Sequence, residues 1–132
     1  MYSMKEACNE VSMTYEALKF YCNEGLVPNV KRDENHCRVF DEKDIIWIKG
    51  LTCLKNCGMS IQEMKTYLDL CLQGEASILA RKIILAQKRD ELLHRIATLN
   101  DSVSYIDTKQ QFYDDVLSGK TAYASNLIQT EG

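Results

Sequence analysis

Between about residues 76 and 115 the chain contains neither glycine nor proline. Within that stretch Ile78, Leu85, Leu92, Leu99, Ile106 and Tyr113 stand seven residues apart without a break. Ile96 and Val103 hold the complementary positions of the heptad, while Lys82, Arg89 and Gln110 interrupt it. A heptad sustained this long is the mark of a coiled coil. At 1.5 Å per residue the helix would extend roughly 60 Å. The bland alternative is a helix folded back into an intramolecular bundle. No second long helix exists in the chain to pair with it, so the expected partner is a second copy. Ile78, Leu85, Leu92, Ile96, Leu99, Val103 and Ile106 are its dimerisation residues.

The rest of the chain is punctuated for short elements. Ser3-Met4-Lys5-Glu6 fits a capping box and predicts a first helix over roughly 3–9. Residues 10–13 form a turn. Thr14 caps a second helix over roughly 15–24, and Gly25 supplies its exit. The helical period turns Leu18, with Tyr21 or Cys22, inward. Val30-Lys31-Arg32 and Cys37-Arg38-Val39-Phe40 read as two short strands joined by Asp33-Glu34-Asn35-His36. Asp41 caps a third helix over about 42–56, with Ile45, Ile48, Leu51 and Thr52 at helical spacing. Ser60-Ile61-Gln62-Glu63 is a second capping box and opens a fourth helix over about 61–72. Met4, Met13, Trp47 and Tyr67 read as core, and His94 as a solvated residue. Residues 116–132 are polar with apolar islands at Tyr123 and Leu127-Ile128, and the pattern does not decide between a short helix and a mobile tail. Three segments follow: 1–73, 74–115 and 116–132.

Composition narrows the function classes. The 132 residues, 45% hydrophobic and 27% charged, suit a small globular domain with an extension. No apolar run approaches a membrane span, and the N-terminus lacks a signal-peptide pattern, so a cytoplasmic protein is expected. The six cysteines all lie in the first 71 residues; without a secretory signal they read as free thiols. Cys53 and Cys57 stand at i and i+4, but no further Cys/His pair follows at zinc spacing, so no metal or other cofactor is expected. No Cys-x-x-Cys, oriented Cys/His pair or phosphate-binding glycine loop is present, which argues against an enzyme. Net charge is −3. DNA affinity comes from cations that displace counterions from phosphates, so any DNA role must rest on local clusters. Lys31, Arg32 and Arg38 flank the hairpin, and Lys19 lies on the second helix.

Leu18-Lys19-Phe20-Tyr21, then Glu24-Gly25-Leu26-Val27-Pro28, then a hairpin with Arg38, resembles the MerR family of transcription regulators over about residues 2–72. The resemblance implies a mainly α fold: a winged helix-turn-helix, two further helices, and a long antiparallel coiled-coil dimerisation helix. It implies a homodimer gripping double-stranded DNA at a pseudo-palindromic promoter operator, distorting it, and acting on RNA polymerase indirectly. Carried over by position, Tyr15, Lys19 and Tyr21 would be recognition-helix contacts, and Arg38 a wing contact; the cap Thr14 and the hairpin cations Lys31 and Arg32 join them as DNA-binding candidates. Lys19 stands where members usually carry Arg, and Glu16 where many carry Arg. Asn35-His36-Cys37-Arg38 replaces the usual Asn-Gly-Tyr-Arg. Asp44-Ile45-Ile46-Trp47, Cys53-Leu54-Lys55-Asn56 and Gly58-Met59-Ser60 are similar to the aldehyde- and thiol-stress branch. That similarity makes Cys53 a candidate sensor, against the alternative of a small core residue. The family's metal-sensing members carry cysteines near the end of the dimerisation helix, and this chain has none after Cys71. A coiled-coil adaptor that does not bind DNA is the competing function, favoured by the acidic balance and Glu16.

Overall fold

A computed structural model describes residues 1–130. They fall into two compact units, Met1–Asp90 and the chain from Glu91 onward, with one long helix running through both.

The first unit opens on a strand, β1 (Tyr2–Ser3), and two helices, α1 (Met4–Val11) and α2 (Tyr15–Asn23). Ser3 and Glu6 exchange side-chain and backbone hydrogen bonds at 3.1 Å, which completes the expected capping box. α1 ends two residues later than the sequence suggested, because Ser12 adopts the left-handed conformation (φ 56°) and caps it onto the Cys8 carbonyl. Thr14 Oγ1 accepts from the Ala17 amide at 3.1 Å and fixes the start of α2. Gly25 (φ 77°) reverses the chain after α2, and the Leu26 amide donates to the Tyr21 carbonyl.

Strands β2 (Lys31–Arg32) and β3 (Arg38–Phe40) form the expected hairpin. The sequence did not announce that β1 joins it. The sheet is antiparallel in the order β1-β3-β2, with Tyr2 opposite Phe40 and Lys31 opposite Val39. A two-stranded ribbon is marginal alone, and β1 gives β3 a partner on its second edge. Tyr2 Oη also donates to Glu42 Oε1 at 2.5 Å; that bond pushes the phenol pKa up to about 12.

Helices α3 (Glu42–Asn56) and α4 (Ile61–Leu72) match their expected bounds, each opened by a reciprocal capping box, Asp41 with Asp44 and Ser60 with Glu63. A 3₁₀ turn (Gly74–Ser77) leads into α5 (Ile78–Leu117). The buried Ser77 hydroxyl lies within hydrogen-bond reach of the Leu70 and Gly74 carbonyls, with one proton to give to either, and accepts from Arg81 Nε. Leu18, Leu26, Phe40, Ile48, Leu51 and Met64 are fully buried and form the centre of the core. Burial of each such side chain stabilises the fold by about 1.5–3 kcal/mol. Met4, Met13 and Trp47 pack around this centre, as expected, and the Trp47 indole donates to the Leu26 carbonyl at 2.7 Å.

The second unit holds the rest of α5 and the tail. Ile96, Leu99, Val103 and Ile106 are exposed, Leu99 at 64%. In the first unit Ile78 and Leu85 are also exposed, and Leu92, in the second, is half-buried. The described residues beyond Leu117 form turns and no helix. Gly119 (φ 81°) reverses the chain, the Lys120 amide donates to the Asp115 carbonyl at 2.8 Å, and Tyr123–Leu127 return to line a cleft with Tyr105 and Phe112.

Candidate nucleic-acid interface

The first turns of α1 and α2 and the hairpin converge on one cleft of about 470 Å³. Lys5, Tyr15, Arg32, His36, Cys37 and Arg38 line it. Three cations on three different elements therefore face one concave surface, beside the N-terminus of α2. Aligned amides at a helix N-terminus add partial positive charge there.

The hairpin is held by its own polar groups. Asp33 Oδ1 accepts from the amides of Asn35 (2.8 Å) and Cys37 (3.0 Å), and Arg32 Nη1 donates to the His36 carbonyl at 2.7 Å. Arg38 is half-buried, and its Nη2 donates to Asn23 Oδ1 at 2.6 Å. The strand that carries Arg38 is thus fixed to the end of α2.

The residues singled out by sequence separate into groups. Tyr15 and Lys19 are exposed on α2, and among the described residues Lys19 has no carboxylate partner. Thr14 acts as the helix cap. Arg32 and Arg38 meet in the cleft.

Two candidates are placed differently. Tyr21 is 5% exposed and belongs to the core, and burial pushes its phenol pKa upward. It lies one turn after Leu18, on the inward face. This agrees with the helical period and corrects its assignment as a contact residue; the exposed aromatic of that turn is Phe20. Lys31 turns away to the start of α3. Its Nζ lies 2.9 Å from Asp41 Oδ2 and 3.5 Å from Asp44 Oδ2, and also donates to the Asn29 carbonyl. These acids occupy the ammonium, so Lys31 anchors the hairpin to a helix cap and is not among the residues lining the cleft. Lys5 escaped the sequence reading; its place two residues after the α1 cap was the available signal.

Cys53 is exposed, which removes its reading as a small core residue. Lys49, one turn earlier on α3, is exposed as well. Cys8 and Cys22 are the thiols against the core, and burial raises both pKa values; Arg38 and Arg32 partly oppose this at Cys22. Among the described residues no three His, Cys, Asp or Glu side chains group closely enough to hold a metal ion, and no helix is long and apolar enough to cross a membrane.

Two short helices, a buttressed hairpin with a cationic cleft, two supporting helices and a long C-terminal helix define a winged helix-turn-helix regulator. Residues 2–71 match the family described as MerR HTH family regulatory protein. The chain belongs to that family of helix-turn-helix transcriptional regulators. It is 32% identical over 128 residues to an uncharacterized HTH-type transcriptional regulator of Haemophilus influenzae, covering 97% of this chain and 95% of the relative. It is 35% identical over 91 residues to the HTH-type transcriptional regulator AdhR of Bacillus subtilis, covering 69% of this chain and 65% of AdhR. Among solved structures, HiNmlR, a MerR family regulator lacking the sensor domain and bound to promoter DNA, superposes with a TM-score of 0.77 at 32% identity, covering 89% and 93% of the two chains. A putative MerR family transcriptional regulator from Listeria monocytogenes superposes at 0.81 with 29% identity, covering 91% of each.

Proposed function

We propose that this regulator acts as a homodimer on promoter DNA, with α2 entering the major groove and the hairpin following the adjacent backbone. The observation that carries this reading is the convergence of Lys5, Arg32 and Arg38 on one cleft, with Lys19 exposed on α2 one turn after the cleft residue Tyr15. Cations arranged in this way neutralise neighbouring phosphates although the chain as a whole is acidic. The structure of HiNmlR bound to promoter DNA supports promoter DNA as the ligand.

The exposed stripe Ile96, Leu99, Val103 and Ile106 supports a twofold seam along α5, which would present two α2 helices to a pseudo-palindromic operator. Members of the family, by the resemblance set out above, bend and untwist the promoter so that RNA polymerase engages it. A pair of reading heads on a shared helix suits that use of deformation energy. For the input, the exposed Cys53 thiol supports a response to aldehydes or other electrophiles, since such chemistry needs an accessible sulfur.

The test is a gel-shift titration of Lys19→Ala on the duplex from the protein's own promoter region. A loss of roughly 1–3 kcal/mol is expected. Binding equal to the parent would remove α2 from the groove.

A further inference from the structure

Two clefts flank Phe112 near the C-terminal end of α5, and they differ in chemistry. One, of about 560 Å³, lies between α5 and the returning tail. The rings of Tyr105, Phe112, Tyr113 and Tyr123 line it, and Lys109 is the one charged residue among the described residues that do so. The other, of about 540 Å³, carries the carboxylates of Asp107 and Asp115. Gln111 Nε2 donates to Asp115 Oδ1 at 2.8 Å and holds that carboxylate on its own side. Phe112 therefore separates an aromatic cleft with a cation from a groove with acids.

The aromatic cleft is built before any ligand arrives. Phe112 and Tyr113 meet with ring centroids 5.7 Å apart. Lys109 Nζ lies 5.8 Å from the centroid of the Tyr105 ring, and among the described residues no carboxylate pairs with it. The far wall is set by turns: after Gly119, the Lys120 amide is tied to the Asp115 carbonyl, and Ser125 Oγ accepts from the Leu127 and Ile128 amides at 3.0 and 3.3 Å. Yet Tyr105 stays 65% and Tyr123 48% exposed, so the rings face an open concavity. Tyr105 and Phe112 stand about 100° round the helix from Ile106 and Tyr113 of the heptad. The cleft thus opens on a flank beside the seam.

Its volume is in the range of small-molecule sites. Rings at these spacings take a flat apolar body by stacking or edge contact, and the ammonium over Tyr105 takes an anion. We propose that the cleft between the end of α5 and the tail binds a small aromatic carboxylate, its ring system among Tyr105, Phe112 and Tyr123 and its carboxylate on Lys109. A cation of the same shape meets Lys109 and is repelled. The site is separate from the DNA-reading surface and from Cys53.

The test is calorimetric titration of the full chain with 2-naphthoate, and with 2-naphthylmethanol and 2-naphthylmethylamine as its neutral and cationic counterparts. Saturable binding is expected, tightest for the carboxylate and weakest for the amine. Lys109→Gln should lower naphthoate affinity severalfold, the scale of an open ion pair, and leave the alcohol unchanged. Tyr123→Ala should weaken all three, and both residues are exposed, so the fold is retained. No saturable binding, an amine that binds as well as the carboxylate, or naphthoate binding untouched by both variants overturns the site. Absent binding together with a dimer weakened by Tyr123→Ala in sedimentation would give the cleft to a second copy, and overturns it too.

Discussion

Arg38 Nη2 donates to Asn23 Oδ1 at 2.6 Å, which ties the middle strand of the sheet to the last residue of α2. The hairpin therefore keeps a set position relative to the helix, and the cleft between them keeps its shape.

Asn23→Ala should loosen that coupling. A hydrogen bond to a charged group contributes about 1.5–3 kcal/mol to stability, and this one is partly exposed, so the expected loss is about 1 kcal/mol of fold stability together with weaker duplex binding. Asn23→Asp keeps an acceptor for the guanidinium and should hold the hairpin in place. Equal affinity for the alanine variant and the parent in a gel-shift titration would show that the bond does not position the wing.

Tyr21 separates core from contact. Tyr21→Phe keeps the buried ring and should bind duplex as the parent does. Tyr21→Ala should destabilise the fold by about 3–5 kcal/mol, the usual cost of emptying an aromatic site. Denaturant unfolding measures the second effect. A Tyr21→Phe variant that folds normally and loses duplex binding would return the hydroxyl to the interface.

The Lys31–Asp41 pair gives the first unit a pH dependence. The hydrogen bond from Lys31, followed by the one from the Asp44 amide, holds the Asp41 carboxyl at about 2, below its ordinary 3.8. A depressed carboxylate stabilises the fold above its unfolded value, and that contribution is lost as pH falls from about 4 toward 2. In Lys31→Met the Asp41 midpoint should rise toward the ordinary value, while the Asp44 amide bond keeps it somewhat low. Carboxyl NMR titration reads this directly, and an unmoved midpoint would mean that Lys31 is not the main cause.

Cys53→Ser should leave duplex binding intact and abolish any transcriptional response to an added aldehyde. The thiol is exposed and lies outside the core, so the substitution has no packing cost to confuse the result. A variant that still responds to the aldehyde would take Cys53 out of the sensing role.

How much of this was written in the sequence depends on distance along the chain. The capping boxes at Ser3, Asp41 and Ser60 act within one turn, and helices α3 and α4 begin where those residues place them. The heptad from Ile78 is local in the same sense and marks α5. The misplacements involve partners far apart. β1 is two residues that become a strand only because β3 has a free edge nearby. Lys31 looked like a wing cation until Asp41, ten residues on, was seen to hold it. Tyr21 satisfied the family pattern and the inward period at once, and burial decided between them. His36 stands where the family usually has glycine and takes the left-handed conformation that glycine favours (φ 62°). The pattern identified the turn, although the residue did not suit it.

The central claim is that two copies of α2 read two halves of one duplex. Selection of duplexes from a random pool by the purified protein, followed by hydroxyl-radical footprinting of the winners, tests it most directly. The account predicts enriched sequences with two half-sites related by a twofold, both protected in one complex whose affinity falls steeply with salt. Failure to enrich any duplex, or protection of a single isolated site by one chain, would contradict it.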